Sequence, residues 1–234
     1  MTSPEIYLAT PLIDIGSEPA ALCTQLRALL PLLPCAALRV RLAAGDERSL
    51  TRLLKPFCAT AHEAGIAVIL DINAAPDALA GLDLAQIATR GGADGLHLRD
   101  LAAAREAITR FDGARSVGLA NPRTRHEAME AGEAGIDYLS FGEPRPDGSM
   151  PPFDAACERA AWWAEIFETP CAIFLPGLGD IDAALATGTE VLAVGDVVFN
   201  HADGPEAGAH ALAAALAESG NHRDDGRKSG RENG

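Results

Sequence analysis

The sequence predicts an α/β fold, a single parallel (β/α)8 TIM barrel, and three observations carry that expectation. Eight short apolar runs alternate with eight helix-like segments along the 234 residues. Each apolar run is closed by Gly, Pro, Asp or Asn, the residues that end strands and start turns. Several helix-like segments finish in Ala-Gly or Gly-Gly, as at Ala64-Gly65, Gly91-Gly92 and Ala134-Gly135, which is the pattern of a helix C-cap. An open, doubly wound sheet is the rival topology. No GxGxxG follows the first strand, which counts against it.

Taken in order, IYLAT (6–10) is the first strand and 19–30 the helix after it. ALRVRL (37–42) follows, and its period-two alternation puts Arg39 and Arg41 on one face with Leu38, Val40 and Leu42 on the other. A helix over 49–64 leads to AVILDI (67–72), the near-continuous apolar run of a buried strand, which ends at Asp71 and Asn73. After a helix at 84–90 comes GLHL (95–98), closed by His97, Arg99 and Asp100; a helix at 101–110 precedes SVGLA (116–120), which ends at Asn121. A helix at 124–134 leads to YLSF (138–141), with Ser140 and Glu143 at its end, and then to a helix at 154–167. CAIFL (171–175) opens into Pro-Gly-Leu-Gly-Asp180 and a helix at 181–186, and VLAVG (191–195) runs into Asp196 before the last helix at 205–218. The barrel domain is therefore expected over 1–218. The polar, glycine-rich remainder, 219–234, has too few apolar side chains to order itself and is expected to be a disordered tail.

A net charge of −14 argues against binding nucleic acid or an anionic membrane, since both require a cationic face. The five cysteines form no CxxC pair and no metal-ligand spacing, the usage of reduced, buried thiols. The start, MTSPEIYLATPL, lacks a signal-peptide pattern, and no segment approaches eighteen unbroken apolar residues, so the expected location is cytoplasmic.

In a barrel of this kind the chemistry sits at the C-terminal ends of the strands, and here those ends are polar: Arg39, Arg41, Asp71, Asn73, His97, Arg99 and Asp100. The loops after the seventh and eighth strands carry Gly177, Gly179 and Gly195, where exposed backbone N–H groups and a helix start suit a phosphate. A small phosphorylated ligand is the resulting expectation. The chain has only two lysines, Lys55 in a helix and Lys228 in the tail, which excludes a Schiff-base aldolase in the same architecture. His97 shares a face with Gly95 and Arg99 and reads as a polar core residue, held by a neighbouring carboxylate or carbonyl, that shapes the site. Arg41 and Asp71 could equally be an ion pair between adjacent strands, and Asp100 could occupy the first turn of a helix.

Taken together, GADGLHLRDL (92–101), LRVRL with GDERSL behind it, YLSFGEPRPDGSM, AIFLPGL and VLAVGDVVF resemble the thiamine-phosphate synthase family and its thiazole tautomerase (TenI-like) relatives. GADGLHLRDL looks like that family's GADGVHLGQxDL, and the likeness spans roughly residues 6–216. The resemblance implies a transferase that joins hydroxymethylpyrimidine pyrophosphate and thiazole phosphate to give thiamine phosphate and pyrophosphate. It implies Arg41 as the pyrophosphate-binding catalytic arginine, Asp71 and Asp100 as Mg2+ ligands with Asp100 also catalytic, and Arg39, Asn73, His97, Arg99, Ser149, Gly177, Gly179 and Gly195 as substrate-binding positions. It is compatible with a homo-oligomer. The chain departs from the family pattern in several places: Arg39 stands for the glutamine of QLRxK and Ala43 for its lysine, Arg99 replaces Gly-Gln, and Asp147-Gly148-Ser149-Met150 replaces TxTK without its lysine. The alternative these departures raise is a non-catalytic TenI-like paralogue that binds a phosphorylated thiamine-related metabolite.

Overall fold

A computed structural model describes residues 4–145 and 147–231, with side chains described through residue 220. Eight parallel strands close into a barrel in sequence order: β1 (Glu5–Ala9), β2 (Cys35–Leu42), β3 (Ala67–Ile72), β4 (Gly95–Leu98), β5 (Ser116–Ala120), β6 (Tyr138–Phe141), β7 (Cys171–Phe174) and β8 (Val191–Val194). β8 pairs with β1 through Glu5–Val191 to Leu8–Val194, so no edge strand remains. Each expected strand is present within two residues of its expected ends.

The surrounding helices are α1 (Ala20–Leu29), α2 (Glu47–Glu63), α3 (Pro76–Leu79), α4 (Leu84–Gly91), α5 (Leu101–Phe111), α6 (Arg125–Glu133), α7 (Phe153–Ile166), α8 (Ile181–Ala186), α9 (Asp196–Phe199) and α10 (Pro205–Arg231), with 3-10 turns at Leu30–Leu32 and Leu178–Asp180. Their starts follow from local chemistry. Asp46, Asp83, Asp100 and Thr124 each accept a hydrogen bond from a backbone N–H three residues on, capping α2, α4, α5 and α6. α3 and α9, four residues each, are additions to the expected set, too short to leave a periodic signal. α10 runs from Pro205 to Arg231, into the segment expected as a tail; extending an existing helix is cheaper than nucleating one. Residues 232–234 of that expected tail lie outside the described residues.

Alternation along the strands sorts the core into two parts. Leu38, Val40, Leu42, Leu70, Ile72, Leu96 and Leu98 face the helices in one large apolar layer. Tyr7, Ile69, Ala172, Phe174 and Ala193 form a small apolar group inside the barrel, and above it lies a layer of polar and charged side chains. Gly118 makes room for that layer, since a Cβ there would collide with the Tyr138 ring.

Candidate active site

β2 and β3 run in register with Arg41 opposite Asp71 and Arg39 opposite Ile69, which brings two guanidiniums and a carboxylate into the lumen. Arg39 is 1% exposed. It donates from Nε to Asp71 Oδ2 at 2.8 Å and places Nη1 2.6 Å from Glu143 Oε2. Arg99, at the end of β4, grips the same aspartate with two bonds, Nη1 to Oδ1 at 2.6 Å and Nη2 to Oδ2 at 3.0 Å. Arg41 Nε lies 3.9 Å from Asp71 Oδ2 and makes no hydrogen bond among the described residues.

A second arm of the cluster starts at Glu143. Its Oε1 accepts from Ser140 Oγ and its Oε2 lies 2.9 Å from His97 Nε2. His97 Nδ1 is 2.8 Å from Tyr138 Oη, which is 2.8 Å from Tyr7 Oη. A carboxylate can only accept, so His97 donates from Nε2; its Nδ1 then accepts the Tyr138 hydroxyl proton, and Tyr138 in turn accepts from Tyr7. Asn121 fastens the loop that carries Glu143, donating to the Glu143 carbonyl at 2.8 Å and accepting its N–H at 3.2 Å. Asn121 itself adopts φ 46°, a left-handed conformation that asparagine tolerates better than most residues.

These surroundings fix the charges. Burial pushes the Asp71 carboxyl upward, but Arg39 and Arg99 outweigh it and hold Asp71 well below the usual carboxylate range. Glu143 is likewise held low against its burial, chiefly by Arg39 and then His97. Burial and the Arg39 charge lower His97, so the ring is neutral at pH 7. Burial raises both tyrosines, which stay protonated. Burial and repulsion from Arg39 lower Arg41, although a guanidinium remains charged.

The residues singled out from sequence divide accordingly. Arg39, Arg41, Asp71, His97 and Arg99 come together in one cluster. Asn73 stands at the end of β3 with a buried Oδ1 that has no hydrogen-bond partner among the described residues. Asp100 is exposed at the mouth and uses Oδ1 to cap α5 through the Ala103 N–H at 2.9 Å. Ser149 sits apart from the cluster in an exposed turn, accepting from Arg145 Nη1 at 3.2 Å. Gly177 and Gly195 follow β7 and β8, each directly before a short helical turn, and Gly179 lies within the first of these turns. Tyr7, Tyr138, Ser140 and Glu143 complete the cluster; of these, Ser140 and Glu143 are visible in sequence only as polar strand ends. Burial pushes the thiols of Cys35, Cys58 and Cys171 up to about 12, so they are inert.

The donor set fits magnesium poorly. Both oxygens of Asp71 are held by arginines, Asp100 is engaged as a helix cap, and no group of three His, Cys, Asp or Glu side chains among the described residues could hold a metal ion. The Asp71–Asp100 pair expected from sequence is therefore not assembled as a metal site.

Residues 7–196 match the family model described as thiamine monophosphate synthase. The chain belongs to the thiamine monophosphate synthase family. Among its relatives, a thiamine-phosphate synthase of Rhodospirillum centenum is 32% identical over 88% of this chain and 95% of its own. A thiamine-phosphate synthase of Erythrobacter litoralis is 29% identical over 84% and 88%. The solved thiamine phosphate pyrophosphorylase of Pyrococcus furiosus superposes with a TM-score of 0.69 at 19% identity, covering 93% of this chain and 97% of that one, a likeness of fold. Among the described residues, no helix is long and apolar enough to cross a membrane.

Proposed function

We propose that this barrel is a thiamine-phosphate synthase-like transferase, joining hydroxymethylpyrimidine pyrophosphate to thiazole phosphate with release of pyrophosphate. One observation carries the reading: the lumen cluster is not neutral. Arg39, Arg41 and Arg99 face only two carboxylates, Asp71 and Glu143, and His97 is uncharged, so one positive charge is left over. Arg41 is the member that presents it, being 18% exposed at the side chain with Nε free of hydrogen bonds. A partly exposed guanidinium whose Nε is not spent on the cluster suits an oligophosphate.

In the reaction the bond between the pyrimidine methylene carbon and the pyrophosphate oxygen breaks, and its electron pair departs with pyrophosphate. The thiazole nitrogen supplies the pair for the new C–N bond, and no proton needs to move. Negative charge grows on the leaving group, where Arg41 acts as the catalytic cation and Arg99 assists. Arg39 and His97 belong to the scaffold that sets this charge, and Asn73 offers an acceptor to a substrate N–H. The glycine loops at 177–179 and 195 take the second phosphate, and the exposed Asp100 is the remaining catalytic candidate. No step is assigned to magnesium, because the residues present do not assemble its site.

A specific observation favours a second reading. With Asp71 held by arginines and Asp100 by its helix, neither carboxylate is set out as in a metal-assisted synthase, and the barrel would then bind a phosphorylated thiamine-related metabolite without turning it over. Incubation with both substrates and magnesium, followed by quantification of thiamine phosphate, separates the two. Product that Arg41→Ala abolishes supports the transferase; binding of thiazole phosphate with no product over many hours supports the second reading.

A further inference from the structure

α2 and α4 run side by side on the outer wall of the barrel, one following β2 and the other leading into β4. They meet closely because Gly91 has no side chain; a Cβ there would strike Leu54 of α2. The groove between them, about 530 Å³, is floored by Ile87 and lined by Arg48, Thr51, Arg52 and Lys55 of α2 and by Gln86 and Arg90 of α4. All four cations are exposed. Among the described residues, none of their side chains makes a hydrogen bond or an ion pair, and neither does the half-buried Thr51 hydroxyl or the Gln86 side-chain amide. Glu47, the carboxylate that lines the groove with them, accepts the Asp83 N–H at 3.0 Å.

This grouping works against the helix that carries it. Arg48 and Arg52 stand four residues apart and Arg52 and Lys55 three, so like charges are neighbours on one face of α2. Arg48 also lies in the first turn, where the helix dipole disfavours a cation. Carboxylates are abundant, since the chain has 33 acidic against 19 basic residues. Elsewhere on the helical shell Arg27, Arg105 and Arg110 each have one within ion-pair distance. A concentration of positive charge in an acidic protein, left without carboxylate partners and joined by two unused polar side chains, is suited to an anion from solution.

We infer that the α2–α4 groove is a binding site for a short oligophosphate chain, lying along Arg48, Arg52 and Lys55 with Arg90 on its other side. Arg48 and Lys55 are seven residues apart, about 10 Å along the helix, so a chain of several phosphates engages more of the row than a single one. A protein partner or a bilayer would need an apolar anchor, and the exposed large apolar side chains, Leu12, Met129, Met150 and Ile166, all lie elsewhere. A long nucleic acid would be repelled by the net charge of −14 beyond the groove. The groove shares no residue with the lumen cluster and does not depend on the proposed reaction, since occupancy is read without turnover.

Calorimetric titration with inorganic tripolyphosphate tests it, in the parent and in Arg41→Ala, where the lumen cation is gone. Binding should persist in Arg41→Ala, and in that background pyrophosphate and phosphate should each bind at least about tenfold more weakly than tripolyphosphate. Adding Arg52→Ala with Lys55→Ala should weaken tripolyphosphate at least about tenfold, whereas Arg105→Ala, which removes a cation from another helix, should leave it unchanged. The ligand-free melting midpoint of the groove variant should equal or slightly exceed its parent's, because a like-charge pair is removed. If that variant fails to fold, Arg52→Gln with Arg90→Gln decides by the same threshold. ATP separates the sources: affinity equal to that of tripolyphosphate means that the chain is accepted on a nucleoside, and tenfold weaker binding confines the site to the free chain. Tripolyphosphate binding that is lost in Arg41→Ala would place the ligand in the lumen and overturn the inference. Unchanged affinity in the groove variants, or no binding to the parent, would overturn it too. So would hexaglutamate binding as tightly as tripolyphosphate, which would mark the groove as a dock for an acidic protein segment.

Discussion

Arg39 and Glu143 meet at 2.6 Å in the barrel lumen, joining β2 to the loop after β6. Arg39 also pairs with Asp71, and Glu143 also holds His97 and Ser140, so removing either one strips a buried partner from a linked network. Removing one member of a buried ion pair costs about 3–5 kcal/mol, because the other is left desolvated. Arg39→Gln and Glu143→Gln should each lower the thermal midpoint by roughly 2–4 °C per kcal/mol lost. The double variant should cost less than the sum, with a coupling of about 0.5–3 kcal/mol. A denaturant double-mutant cycle measures this, and strictly additive losses would show that the pair is not coupled.

The cluster also sets how stability responds to acid. His97 is depressed in the folded barrel, so the unfolded chain binds its proton more readily. Its contribution is complete above the unfolded value of about 6.5 and declines as pH falls through that value. Asp71 and Glu143 are also held low, so their contribution is present above about 4 and is lost as pH falls further toward their folded values. Thermal melts across this range should show two stages of destabilisation. His97→Gln should remove the first stage and keep the second; a midpoint that stays flat from neutral pH down to about 5 would contradict the neutral, buried histidine.

Asp100 allows its two roles to be separated. Asp100→Ala removes the cap of α5 at a cost of about 1 kcal/mol, whereas Asp100→Asn keeps a capping oxygen and discards the charge. If Asp100 acts in the reaction, the asparagine variant should melt like the parent and yet form product far more slowly. A fully active Asp100→Asn would reduce this residue to a helix cap.

Much of this was legible in the sequence because the barrel is built from two simple periods. Alternation put Arg39 and Arg41 on one face of their strand and His97 with Arg99 on one face of theirs, and glycine and asparagine marked the strand ends. The partner of His97 was harder to read. Glu143 lies beyond the end of β6, and only the turn at Gly142, with φ 83°, together with the Asn121 clasp swings it back over the lumen. Tyr7 and Tyr138 look like ordinary strand aromatics until the closed barrel brings β1, β4 and β6 around one axis. The family resemblance implied Asp71 as a metal ligand, and nothing in the sequence reveals that Arg39 and Arg99 converge on it from the strands on either side.

The measurement closest to the central claim is calorimetric titration of inorganic pyrophosphate into the parent protein and into Arg41→Ala. Binding to the parent should weaken steeply with added salt, and the variant should lose at least about tenfold in affinity, if Arg41 carries the cluster's unpaired charge to the mouth. Equal affinity in the two proteins would contradict it and would place the anion site away from the lumen cluster.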